Sequence, residues 1–423
     1  MKLIKSIFFA VLISLGLNAN ATVRYVSATG TGNGTSWADA SGDLQAMIDA
    51  STAGDSVWVK GGTYIPVNYP TGSTGGTSPR DYAFLTKDQV NIFGSFAGTE
   101  TSLTQRDKAT RDANPSILSG DIGAAGDDSD NTYHVIITVL DSNPILDGFK
   151  ITKGRNLYGK SITIEGQSID SYFGAGLHNY KSNINVTNCN FVDNGIAAGK
   201  GGAIYNYFCS PIITDCIFEN NRAGNGAGIS NNVFCYPLIT GCLFYQNAGG
   251  NGGAIWNQAT ANSTIINSTF TGNTAAFGSV VDNFQISDAN FINCTIYNNQ
   301  STSGGPFSLY QSGLTISNSI LWSNPGSAQG TITHSIVEGG FVGVGNISSN
   351  PEFLNTADLI GSDGLWNTAD DGLTLLNCSP AINSGNIADN STSFDITGAT
   401  REQHGAIDMG AYEKDNLAVS INK

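Results

Sequence analysis

The sequence predicts an all-β chain wound as a right-handed parallel β-helix, a solenoid of about 26 residues per coil. Three observations carry that prediction. The hexapeptide "GGAIYN" at Gly201 to Asn206 returns as "GAGISN" at Gly226 to Asn231 and as "GGAIWN" at Gly252 to Asn257. Aligned on its last residue, Asn179, Asn206, Asn231, Asn257 and Asn283 lie 27, 25, 26 and 26 residues apart. A second motif runs in phase with it, as "CNFVDN", "CIFENN", "CLFYQN", "STFTGN", "CTIYNN" and "SILWSN". Finally, no run carries apolar residues at i, i+3, i+4 and i+7; each unit instead holds short alternating stretches broken by Asn and Gly.

The elements follow in chain order. Residues 1–21 read as a secretory leader: Lys2 and Lys5, the apolar "IFFAVLISLGL", then Ala19-Asn20-Ala21 as a cleavage site. Residues 22–54 form an N-terminal cap, in which "TSWADASGDLQAMIDAS" predicts a short helix at 41–51 with Leu44, Met47 and Ile48 on one face. The cap shields the strand edges that the end of a β-helix exposes. "DSVWVKGGTY" begins the first strand, and residues 55–350 form the β-helix, clearest at 174–324. "VNIFGSF" and "PSILSGD" are early coils with long excursions between them. Residues 351–423 close the structure as a C-terminal capping segment.

Stacked coils rise by the strand spacing, ~4.8 Å, so equivalent side chains lie above one another. Leu177, Ile204, Ile229, Ile255 and Val281 then form one inward ladder, and Phe191, Phe218, Phe244 and Phe270 another. Gly201 and Gly202 serve a tight corner. The repeated Asn residues belong at turns, where Asn accepts left-handed backbone and its amide bonds to the next coil. Six of the seven cysteines follow the same columns: Cys189, Cys216, Cys242 and Cys294 alternate with Ser268 and Ser319, and Cys209 stands over Cys235. Because Ser replaces Cys freely, these read as small buried residues rather than disulfides, with Cys209 and Cys235 the pair to test.

Charged residues make up 13% and hydrophobic ones 40%, which argues against disorder. A net charge of −15 makes a poor partner for nucleic acid or an anionic membrane. After the leader, no apolar stretch is long enough to span a bilayer. "GRNLYGKS" at Gly154 to Ser161 matches a phosphate-loop pattern, but "SITIEGQSI" after it reads as strand, so the match is taken as coincidence.

Strand alternation turns the residues beside the Ile ladder outward. One outward column holds His178, Tyr205, Ser230, Trp256 and Asp282; the next holds Tyr180, Tyr207, Asn232, Gln258 and Phe284. His178, Tyr180, Tyr205, Tyr207, Trp256 and Phe284 are therefore candidate ligand-binding residues, able to stack on sugar rings or a partner protein. "GSDGLWNTADDG" gathers Asp363, Asn367, Asp370 and Asp371, oxygen donors that make the loop a candidate for Ca²⁺. Catalytic residues are not evident. No Lys or Arg occurs between Arg222 and Arg401, so only Lys150, Lys153, Arg155, Lys160, Lys181 and Lys200 on the early coils offer a base or a cationic groove. The coils carry single Asp residues such as Asp193, Asp215 and Asp282, with no Asp pair among them.

The paired motifs, GGA[I/L/V] with F-x-x-N downstream, resemble the repeats of chlamydial polymorphic outer-membrane proteins. "VNIFGSFAGTETSLTQRD", "PSILSGD" and "NPILDGFKITKG" resemble exported β-helix proteins of the pectate-lyase-like superfamily. "SPAINSGN" and "GAIDMGAYE" are similar to the choice-of-anchor Q domain. The resemblance implies an exported bacterial protein, extracellular or associated with the outer membrane. With the outward aromatic face, the leading reading is a monomeric, non-catalytic, adhesin-like protein that binds a glycan or a surface protein. The alternative is a polysaccharide lyase or glycoside hydrolase with its site near Lys150 to Lys200.

Overall fold

The computed structural model describes residues 21–156, 159–196 and 198–414. Apart from Ala21, the leader lies outside the described residues. Among those described, no helix is long and apolar enough to cross a membrane.

The chain winds as a parallel β-helix of four stacked sheets. Sheet I has eleven strands, sheet II ten, sheet III eight and sheet IV four. One coil illustrates the order: Ile204–Tyr207 lies in sheet III, Ile212–Thr214 in sheet I, Ile217–Glu219 in sheet II and Arg222–Asn225 in sheet IV. The next coil repeats it in parallel register, with Ile204 over Ile229, Ile213 over Ile239 and Phe218 over Phe244. A repeat of about 26 residues accommodates three short strands with three turns, and the short fourth strand is an addition to these.

The inward ladders are as the repeat predicts. Ile204, Ile229 and Ile255 are buried, and the Phe191, Phe218, Phe244 and Phe270 rings stack at 5.3, 4.7 and 4.6 Å. The Asn amides form two hydrogen-bonded ladders. In one, Asn179, Asn206, Asn231 and Asn257 each donate to the Asn of the next coil at 2.8 Å. In the other, Asn221, Asn247 and Asn273 donate onward at 2.9 to 3.0 Å. The left-handed backbone falls not on this second ladder but on the residue before it, at Asp193, Asn220, Gln246, Gly272 and Asn298. Gly201 and Gly252 do occupy left-handed corners, at φ +67° and +63°, where a Cβ would meet the carbonyl of Ile204 or Ile255. Cys189, Cys216, Cys242 and Cys294 are buried free thiols among the ladders.

Both ends differ from expectation. The helix Leu44–Ala50 buries Leu44 and Ile48 against the first coil as a cap should. Yet Val23–Val26 already pairs with Ser56–Lys60, so the solenoid begins inside the predicted cap. The C-terminal segment is not an end plug. Residues 351–413 run back along the outer face of sheet II, with Phe353 against Tyr297 and Trp366 against Tyr245. Turn asparagines act as its rail: Asn267 donates to Phe394 and Thr392, Asn293 to Asn390, and Asn318 to Asn386. This stretch of the face carries no charged side chain and needs the cover, since Leu243, Thr269, Thr295 and Ile320 all point out of the coil and are buried.

A buried charge cluster sits in that segment. Arg401 has no exposed surface and lies 3.5 Å from Glu413, while Glu413 and Lys414 backbone N–H groups bond Asp395 and Asp408. Burial lifts the Glu413 carboxyl to about 8; Asp408 adds to the rise and Arg401 opposes it. Burial likewise lifts Asp371 to about 6, although Tyr412 donates to it. A carboxyl whose pKa rises on folding holds its proton more tightly in the native chain. Its contribution is complete below the ordinary value of 4.5 and is lost as pH climbs to about 8. We therefore expect Glu413→Gln to flatten the decline in urea midpoint across that window. A profile identical to that of the unaltered chain would show that the proton is held elsewhere.

Candidate functional site

The outward aromatic column is covered. His178, Tyr205 and Trp256 are only 1, 3 and 4% exposed. The cover comes from the connections that lead into sheet III. The Phe173 ring stacks on Tyr205 at 4.7 Å, and the Lys200 ammonium lies 4.7 Å over the Trp256 ring. His178 and His134 are packed edge to face at 5.1 Å, and burial lowers the pKa of both. As a ligand-binding face, the reading of His178, Tyr205 and Trp256 is therefore corrected. Tyr180, Tyr207 and Phe284 stay half-buried in the next column, where Tyr180 stacks on Tyr207 and Phe284 on Tyr310. Rings stacked along the solenoid axis show their edges outward, a poor surface for the face of a sugar.

The carboxylates of the candidate Ca²⁺ loop are largely spent within it, while the buried Asn367 Oδ1 has no partner among the described residues. Asp370 accepts from Ser362, Asp363 and Thr368; Asp371 accepts from Asn367, Thr368 and Tyr412; Asp363 accepts from Leu365. The Asn367 amide turns towards the Gly241 carbonyl. Among the described residues, no three His, Cys, Asp or Glu gather to hold a metal. After Gly154 to Arg155, the segment Ser161–Ile164 is one strand of an antiparallel hairpin, so the phosphate-loop pattern has no helix after it.

What the fold does assemble is a charged groove at the corner between sheets II and IV, in the window that the C-terminal segment leaves open. Strand Phe149–Thr152 buries Phe149 and Ile151 and turns Lys150 outward. Lys150 stands beside Asn190 and then Ile217, while Thr152 leads to Val192 and Glu219. The left-handed corner that follows stacks Lys153, Asp193 and Asn220 in successive coils. The Lys153 ammonium lies 3.6 Å from Asp193. One residue pair further on, Arg155 donates to the Asp193 carbonyl and lies 2.9 Å from Asp128. Arg222 completes the wall: it is exposed, and among the described residues its guanidinium has no ion pair or hydrogen bond. Asp128, Arg155, Asp193, Gly195, Ile196, Asn220 and Arg222 line a groove of about 410 Å³. Burial raises the pKa of Glu219 at its edge; Lys150 opposes the rise and Asp193 adds to it.

Of the six early cations, the structure brings Lys150, Lys153 and Arg155 together. Lys160 lies by the hairpin, Lys181 by Tyr180, and Lys200 over Trp256. Sequence reasoning missed Arg222, Asp128 and Glu219. The column just before the Asn ladder, Asp193 and Asn220, was the available signal, because Arg222 falls one step past that ladder.

Comparison with known proteins bears on the fold. Residues 196–357 match the Beta_helix family, described as a right handed beta helix region. No curated protein matches the chain by sequence. Among solved structures, the crystal structure of the pectate lyase Pel9A is similar, with a TM-score of 0.54 at 14% identity. That alignment covers 93% of this chain and 96% of the other. In fold, this chain is a right-handed parallel β-helix of the pectate-lyase-like kind.

Proposed function

We propose that the open window at the corner of sheets II and IV binds an anionic polysaccharide. Arg222 carries the reading. It is an exposed, unpartnered guanidinium on a groove wall, in a chain whose net charge is −15 and whose later coils have no cation before Arg401. Arg155 lines the groove with it, Lys153 pairs with Asp193 on the same wall, and a guanidinium meets a carboxylate with two parallel hydrogen bonds. The likeness of fold to a pectate lyase suits such a polymer without assigning an activity. A second reading rests on the exposed rings of Phe208, Phe234 and Tyr236 at the corner between sheets III and I. Phe208 and Phe234 pack edge to face at 5.7 Å, an apolar ridge suited to a surface protein.

Affinity electrophoresis in gels holding polygalacturonate or neutral dextran tests both readings. Retardation is expected in the anionic gel alone, weakening with salt. Arg222→Ala should reduce affinity about tenfold, the scale of one charge-assisted hydrogen bond. Equal retardation in dextran, or an unaltered Arg222→Ala, would sink the groove. If Phe208→Ser/Phe234→Ser abolished retardation instead, the site would move to the ridge. Release of unsaturated ends in the same polymer would show a lyase rather than a binding protein.

A further inference from the structure

We propose that Cys209 and Cys235 close into a disulfide that staples two successive coils when the chain folds in an oxidising medium. The proposal is independent of the polysaccharide groove. The two sulfurs face each other at 3.9 Å, in a small buried cluster whose third member is Ala261. The backbones are already held together, because the Tyr236 N–H donates to the Cys209 carbonyl at 3.1 Å. Successive coils sit ~4.8 Å apart, inside the range of Cα separations that a disulfide spans. Closing the bond needs only rotation of the two side chains towards each other.

The other buried thiols are differently placed. Cys216 and Cys242 donate to backbone carbonyls of the preceding coil, Val186 and Ile213, as do Cys189 to Leu146 and Cys294 to Ile265. At the corner, the Cys209 backbone N–H instead points at the Cys235 sulfur, 3.4 Å away. In the closed corner burial raises the Cys235 pKa, but hydrogen bonds with Cys209, Asn232 and Phe208 together leave the thiol lowered, while Cys209 is raised by burial.

With glutathione disulfide as oxidant, the thiolate of either cysteine, Cys235 for instance, attacks one glutathione sulfur. The glutathione S–S bond breaks and one glutathione thiolate leaves. The Cys209 thiolate then attacks the Cys235 sulfur and expels the second glutathione thiolate. The two thiol protons pass to the two glutathiones, so one disulfide is reduced as one forms. Since both cysteines are buried, exchange belongs to folding, before the corner closes.

The test is refolding of the whole chain in a glutathione redox buffer, alkylation of free thiols in denaturant, and peptide mapping by mass. Cys209 and Cys235 are expected to escape alkylation and to appear as one linked peptide pair. Alkylation of both, or a bridge at Cys216 and Cys242 instead, overturns the proposal. Thermal midpoints give a second readout. Dithiothreitol should lower the midpoint of the oxidised chain by a few degrees. It should leave Cys209→Ala/Cys235→Ala unmoved, a variant that continues a column already holding Ala261. An oxidised chain whose midpoint ignores dithiothreitol carries no staple.

Discussion

Phe244→Ala is expected to lower the unfolding free energy by about 3–5 kcal/mol. Phe244 has no exposed surface and sits mid-ladder, its ring 4.7 Å from Phe218 and 4.6 Å from Phe270. The truncation removes the transfer free energy of the ring and leaves a cavity with rigid walls. Those walls cannot collapse inward, because the Asn221, Asn247 and Asn273 ladder fixes the coil spacing beside them. Two ring–ring contacts are lost as well, each worth about 0.5–1.5 kcal/mol beyond the buried area. Urea denaturation followed by tryptophan fluorescence measures the loss. Because coils in a solenoid are coupled to their neighbours, a smaller slope with denaturant would show the array splitting at coil 244. A loss below about 1 kcal/mol would mean that the ladder is not the stabilising core.

Trp256→Ala is expected to cost about 3–5 kcal/mol and to leave polysaccharide retardation unchanged. The ring is 4% exposed, under the Lys200 ammonium at 4.7 Å. Its indole also bonds Asp282, whose carboxyl burial lifts to about 6 despite the donors Ser308 and Trp256. Truncation leaves that carboxyl facing a cavity, without one of its two donors. Trp256→Phe keeps much of the ring and loses only the donor, so it should cost clearly less than Trp256→Ala. A Trp256→Ala chain with an unaltered urea midpoint and weakened glycan binding would return the ring to the surface and revive the outward column as a site.

The ladders were legible because stacking is local in effect. A residue that recurs every coil must lie over its own copies, so the period alone assigns Ile204, Phe218 and Asn206 to columns and sets their partners. The same logic separated buried Cys216 and Cys242 from a disulfide framework. Left-handed corners were misassigned by one residue, since Asn221 and its neighbour Asn220 are chemically alike in sequence and only the backbone tells them apart. The N-terminal strand Val23–Val26 was hidden because it precedes the period and carries no copy of either motif.

By itself, the sequence determined the period, the inward ladders and the scarcity of cations after Arg222. Only the tertiary structure decided which outward faces meet water. Strand alternation says that Trp256 and Leu243 leave the coil, but not what lies beyond them. Phe173 and Lys200 belong to a column that keeps the period, bridging Asn225 in the next coil, but nothing in the period says that their side chains fold over Tyr205 and Trp256; the 351–413 segment supplies its cover from a part of the chain with no phase relation to the column it buries. In the groove, Asp128 arrives from an early excursion and Arg222 from the first position of a sheet IV strand, and only the winding of the coils brings them to one wall. A repeat encodes contacts between equivalent residues; contacts between unlike segments depend on where the chain returns, which no period records.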